Sequence, residues 1–274
     1  MVMSELLVIS NIITDIACNL RIISRLTHRE LPDIYRGLIA AMARGAYDMP
    51  NIVITDPILQ RIVNCVKRLT DVLMHLTSRY LTGICLCDTL RMALREICAC
   101  EKSPFIIVCD GLGLSDASFL LHIFGGRVFC GINPGGMTKT YEFIMRRCSE
   151  VRAYFPPTEE VSLSVVARAL AKALRCHNWA VYNKIDAAVM NNIKFKDVDA
   201  LASYLYRPLS LFVNEVDRLL KEGYTILVTA DHGYDMNLTP EGIELKHRWR
   251  ADRPSLSVLA PMLVMGGVKR AEVK

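Results

Sequence analysis

From residue 101 onward the chain alternates short apolar runs with amphipathic segments of helical length, and that alternation constrains the fold more than any other feature. Apolar strand candidates fall at 105–109, 128–132, 151–154, 180–185, 225–229 and 262–265, with helix candidates at 115–124, 140–148, 162–174 and 198–220. Strands separated by helices pair in parallel, the helices crossing over the faces of one sheet. The expectation is an α/β fold with a mainly parallel sheet flanked by helices. The first hundred residues lack strand punctuation. Apolar side chains recur there at spacings of three and four, as in Ile62, Val66, Leu69, Val72 and Leu76, which predicts helices at 4–26, 32–46, 57–81 and 87–100. The chain thus reads as a helical N-terminal region, 1–100, followed by an α/β core, 101–274.

Composition bounds the function classes. With 52% apolar and 22% charged residues in a chain of 274, a sizeable core can form. No uncharged apolar run reaches the ~18 residues that span a bilayer, and residues 1–20 carry Glu5 and Asp15 without a basic leader. These features predict a cytoplasmic protein with no membrane partner. Ten cysteines include Cys85-Leu86-Cys87 and Cys98-Ala99-Cys100; one-residue spacing is too short for a structural zinc ribbon, and helical surroundings predict free buried thiols. A disulfide is expected only if the source is a hyperthermophile.

The strand candidate at 225–229 runs into Thr229-Ala230-Asp231-His232-Gly233. A carboxylate and an imidazole on successive residues at the carboxyl end of a buried strand suit zinc or manganese, which accept both ligand types. A solvated Asp-His-Gly turn reads equally from the dipeptide alone. The strand candidate at 105–109 ends likewise in Asp110-Gly111-Leu112-Gly113. It lacks the third glycine of a dinucleotide fingerprint, and its acid comes before the glycines. The next strand candidate is followed by Gly135-Gly136-Met137-Thr138-Lys139-Thr140-Tyr141, where a threonine at a helix start is either an N-cap or a nucleophile beside a bound cation. Asp186 closes the candidate at 180–185, as a ligand or a helix N-cap. His247 precedes the last apolar segment, as a ligand or a surface histidine.

With those five segments in order, residues 101–274 resemble the alkaline phosphatase superfamily, and within it the PglZ domains of bacterial and archaeal phage-defence loci. The resemblance implies that Asp110, Thr140, Asp231 and His232 form one metal site, while Asp186 and His247 contribute to a second. Thr138-Lys139-Thr140-Tyr141 is similar to the Thr-Lys-Thr-Phe stretch of the nucleotide pyrophosphatase and phosphodiesterase branch, whose second threonine attacks; that implies Thr140, with Thr138 open as the alternative. Met190 stands where the family carries a second-site histidine, which weakens that site; Asn191 or Asn192 would supply a neutral oxygen there, suited to Mg or Mn. The implied protein is a phosphohydrolase or phosphodiesterase using one or two divalent ions, Zn or Mn foremost. Its implied partners are a phosphorylated substrate, nucleic acid or nucleotides among them, and the proteins of a defence complex. A catalytically degenerate scaffold or phosphate-binding module is the other outcome.

Lys139, Arg146, Lys246, Arg248 and Arg250 are the candidate substrate cations. Together with Lys184, Lys194, Lys196 and Arg253 and a net charge of +5, they suit a polyanion, or serve as solvated surface.

Overall fold

The computed structural model describes residues 2–77, 84–157, 162–191, 193–246 and 255–266. Four helices come first: α1 (Val2–Thr27), α2 (Leu31–Ala46), α3 (Pro57–Thr77) and α4 (Ile84–Cys98). Then follow β1 (Pro104–Cys109), α5 (Leu114–Phe124), β2 (Arg127–Ile132), α6 (Thr138–Met145), α7 (Leu163–Ala173), β3 (Trp179–Tyr182) and α8 (Lys184–Val189). The chain continues through β4 (Lys194–Phe195), α9 (Val198–Lys221), β5 (Thr225–Ala230), β6 (Asp235–Thr239), β7 (Gly242–Lys246) and β8 (Leu259–Met265). The helix limits have local causes. Pro32 sits in the first turn of α2, where its missing N–H costs nothing. Ser162 and Asp197 cap α7 and α9 by accepting the amides of Val165 and Ala200.

The protein is α/β. Its main sheet has five strands in the order β2-β8-β5-β1-β3. Successive side chains of the inner strands alternate between the two faces. Ile107 and Cys109 of β1 join Ile226 and Val228 of β5 in a core with α1, α2, α3, α5 and α9. Ile106 and Val108 join Leu227 in a second core with α4, α6 and α7. Helices α1 and α4 therefore pack on the sheet, while α2 and α3 pack on α1, with α2 also against α5 and α9. The apolar stripe of α1, including Ile9, Ile13, Ile16 and Leu20, is wholly buried. By length and composition this helix could cross a membrane; in the fold, α1 lies against α3, α5 and β2.

Three expectations are corrected. The sheet is mixed: β1 pairs in parallel with β3 and β5, but β8 runs antiparallel to both β5 and β2. The described part of the connection from β5 to β8 is the hairpin β6–β7 and a 3-10 turn at Leu256–Val258, not a crossover helix. The chain so returns to the edge it left, and β8 must run the other way. The segment 151–154 is no strand, since Arg152–Tyr154 forms an exposed 3-10 turn with no face to bury. The candidate at 180–185 stops at Tyr182, which puts Asp186 in the first turn of α8.

Cysteine usage also departs from expectation. Cys87 on α4 is disulfide-bonded to Cys148, with Cα atoms 5.1 Å apart, while Cys98 and Cys100 are free. Packing of α4 beside α6 brings the pair together across 61 residues of sequence.

Candidate metal centre

The parallel register of β1 and β5 sets Cys109 opposite Ala230. The next residue on each strand, Asp110 and Asp231, therefore leaves the sheet at the same edge with its neighbour alongside. His232 follows, and one ligand atom from each of Asp110, Asp231 and His232 lies within 4.8 Å of the others. Gly111 makes this exit possible. Its φ is +75°, and a Cβ there would press against Asp186 at 3.0 Å.

Imidazole orientation is fixed by the backbone. His232 Nδ1 lies 2.9 Å from the Gly233 carbonyl, which can only accept, so Nδ1 carries the proton. His232 Nε2 faces the carboxylates, 3.5 Å from Asp110 Oδ1 and 3.4 Å from Asp231 Oδ2. Such a pairing of ligating nitrogen and backbone-anchored N–H is the usual outer support of a metal-bound histidine.

Asp231 is fully buried. Its Oδ1 accepts the amides of Gly111 at 3.1 Å and His232 at 2.9 Å, and its Oδ2 accepts the Thr138 hydroxyl at 2.6 Å. Asp110 Oδ1 is buried with no hydrogen-bond donor among the described residues. Burial pushes the Asp110 carboxyl up to about 7, helped by the charges of Asp231 and Asp186. Burial raises Asp231 as well. Two crowded carboxylates and a nitrogen facing the same space are mutually unfavourable until a cation joins them. Asp110, Asp231 and His232 could hold a metal ion. Three ligands, the number found among the described residues, would by themselves leave a coordination position open, as catalytic sites do and closed structural sites do not.

Comparison with known protein families and with curated proteins finds no match. What the site can do follows from its own geometry.

Of the two threonines, Thr138 is the one whose hydroxyl reaches the cluster. Thr140 Oγ1 packs instead where a Cβ of Gly135 would be, so that any side chain at 135 would collide with it. The hydroxyl singled out by the Thr-Lys-Thr-Tyr likeness, Thr140, is thus not the one that meets Asp231; the alternative, Thr138, is. Thr138 opens α6, and the direction its side chain takes there is not legible from a four-residue likeness. Asp186 is adjacent: its amide donates to the Asp110 carbonyl at 3.2 Å, and its charge acts on Asp110. It lies outside the three-ligand group. Met190 is exposed at the end of α8. His247, Arg248, Arg250, Arg253 and Asn192 lie outside the described residues.

The substrate cations divide. Lys139 is exposed beside Thr138. Lys246 pairs with Glu244 at 2.5 Å, and Lys194 pairs with Glu241. Arg146 is held by Glu142 at 3.0 Å, by the Pro156 carbonyl, and over the Phe155 ring.

Asn133 is the site residue that the motifs do not show. Fully buried at the end of β2, its Nδ2 donates to the carbonyls of Met137 at 2.9 Å and Asp231 at 2.8 Å. It thereby ties the loop before Thr138 to the strand end that carries Asp231. The run Asn133-Pro134-Gly135-Gly136 signals a turn, but no spacing rule says that its first side chain spans two strands.

Proposed function

We propose that this protein is a metal-dependent phosphoester hydrolase with Thr138 as its nucleophile. The observation that carries the reading is the 2.6 Å hydrogen bond from Thr138 Oγ1 to Asp231, inside the Asp110–Asp231–His232 group. Asp231 fixes the hydroxyl's direction, and the two amides on its other oxygen keep the carboxylate from turning away. Thr138 is the first residue of α6 and no side chain caps that helix; the free amides of its first turn suit a phosphate set against the hydroxyl. Lys139 adds an exposed positive charge at the same place. A divalent ion held by Asp110, Asp231 and His232 would stabilise the attacking threonine alkoxide and polarise the phosphoryl group. Two oxygens and one imidazole nitrogen suit Zn or Mn.

The likeness of Asp110, Thr138-Lys139-Thr140-Tyr141 and Asp231-His232 to PglZ and phosphodiesterase motifs supports an alkaline phosphatase-like core. It also supports a phosphorylated substrate, nucleic acid or nucleotides, acted on within a cytoplasmic defence complex. Met190 favours one ion over two, since an exposed thioether replaces the histidine of the second site. The same residue supports the competing reading of a non-catalytic scaffold.

Turnover of p-nitrophenyl phosphate and bis-p-nitrophenyl phosphate with Zn, Mn, Mg or no added metal separates the two. The expected result is metal-dependent release that Asp231→Asn lowers by more than about a hundredfold. No release with any ion, in a protein that elemental analysis finds metal-free, establishes the scaffold instead.

A further inference from the structure

Helix α2 touches neither Thr138 nor the three candidate ligands, yet Tyr35 within it and Tyr47 at its C-cap send their hydroxyls to the two loops that present them. Tyr35 Oη donates to Asp116 Oδ1 at 2.6 Å. Asp116 Oδ1 also accepts the Tyr234 hydroxyl at 3.2 Å, and its Oδ2 accepts the Gly113 amide at 2.9 Å. Tyr234 lies two residues beyond His232, and its hydroxyl is 2.8 Å from Ser115 Oγ. One buried cluster so joins α2 to the Asp110 loop and to the His232 loop. All four of its side chains, Tyr35, Asp116, Tyr234 and Ser115, are at most 4% exposed.

Twelve residues on, at the C-terminal end of α2, Tyr47 repeats the arrangement. Its hydroxyl donates to Asp235 Oδ1 at 3.0 Å. Asp235 accepts in addition the Leu256 amide at 2.8 Å and the Ser255 hydroxyl at 2.5 Å. The next residue of that segment, Ser257, accepts the Gly233 amide through its carbonyl at 2.9 Å. The backbone that follows His232 is thus tied down from the same helix end.

We propose that Tyr35 and Tyr47 are positioning residues: α2 braces the Asp110 and His232 loops at two points and holds the three candidate ligands at their mutual spacing before any cation arrives. The proposal rests on the metal reading above for its functional meaning, and on hydrogen bonds alone for its geometry. Preorganised ligands bind a cation without first ordering their loops, and outer hydrogen bonds commonly govern affinity by ten- to a hundredfold. The Tyr35 ring packs on Phe119 at 5.1 Å and on Tyr206 at 5.7 Å, contacts that phenylalanine retains.

The test uses the full chain as wild type, Tyr35→Phe, Tyr47→Phe and the double variant. Two quantities are measured well below the melting temperature: Mn2+ affinity from the electron paramagnetic resonance signal of free Mn2+, and metal-free amide exchange resolved by segment. Expected are about tenfold weaker Mn2+ binding for each single variant and faster exchange confined to residues 110–116 and 231–236. The interiors of β1 and β5 should exchange as in wild type. Unchanged Mn2+ affinity in a wild type that binds Mn2+ overturns the proposal. So does faster exchange spread over the whole sheet, the mark of a merely structural role. Should wild type bind no Mn2+, the metal reading falls. Exchange then decides the brace by itself: localised loosening upholds it, and unchanged loops refute it.

Discussion

At Thr138 a single side chain separates two chemistries. Its hydroxyl points at a buried carboxylate 2.6 Å away, whereas the Thr140 hydroxyl, two residues along the same helix, rests against Gly135. Successive helical residues point about 100° apart, so two threonines spaced by two cannot share one cleft. Thr138→Ala is expected to lower turnover by a thousandfold or so while metal stays bound, because a nucleophile and not a ligand is lost. Thr138→Ser restores a hydroxyl and should recover part of that loss. Thr140→Ala should stay within about tenfold of wild type. Single-turnover assays with elemental analysis of each variant read this out, and loss confined to Thr140→Ala would return the nucleophile to the second threonine.

At the scale of the element, α5 joins the site to the far side of the sheet and carries opposed titrations at its two ends. Burial pushes Asp116 in its first turn up to about 6, against the hydrogen bonds it accepts. Burial, with the neighbouring Arg21 charge, pushes His122 in its last turn down to about 4. Arg21 of α1 donates to the Leu121 and His122 carbonyls there, closing the helix end. The signs follow from which state holds more protons. Asp116 has a folded value above its unfolded 3.8, so its contribution is full below 3.8 and is lost as pH rises through 6. His122 has a folded value below its unfolded 6.5, so its contribution is full above 6.5 and is lost as pH falls through 4. Between pH 4 and 6 the two oppose each other. Asp116→Asn should gain stability relative to wild type across that window, by about 3 kcal/mol for a shift of this size. His122→Gln should lose stability relative to wild type over the same rise in pH. Urea unfolding at half-unit pH steps measures both, and profiles parallel to wild type would show that neither group titrates as its burial requires.

For the molecule as a whole, the helical region and the sheet are one folding problem. Ile9, Ile13, Ile16 and Leu20 of α1 share a core with Val128, Cys130 and Ile132 of β2, and Leu86, Leu90 and Ala93 of α4 share the other core with Ala260 and Met262 of β8. Deleting residues 1–100 would uncover both faces of the sheet at once. A fragment of 101–274 is therefore expected to lack cooperative thermal unfolding and to bind hydrophobic dye, as a chain with exposed core surface does. A sharp melting transition in that fragment would contradict the shared core.

Much of this was legible beforehand. Spacings of three and four placed α1 to α4 within a few residues, because an amphipathic stripe is a local property of the chain. Apolar runs ending in Asp110 and Asp231 marked two strand ends, because buried strands need continuous apolar sequence. The hairpin β6–β7 was legible too in principle: Met236 and Leu238 alternate with polar neighbours, and Pro240-Glu241 with Gly242 closes a turn. What the sequence by itself determined is therefore the kind of element at each stretch and the residue types available at the strand ends. Only the tertiary structure decided that β8 runs antiparallel, that Cys87 meets Cys148, that Thr138 and not Thr140 meets Asp231, and that Asn133 and two tyrosines of α2 and its C-cap hold the cluster in place. Each of these is a meeting of residues distant in the chain, set by strand register and by the direction a side chain takes from its helix, and neither quantity is written in any local run of sequence.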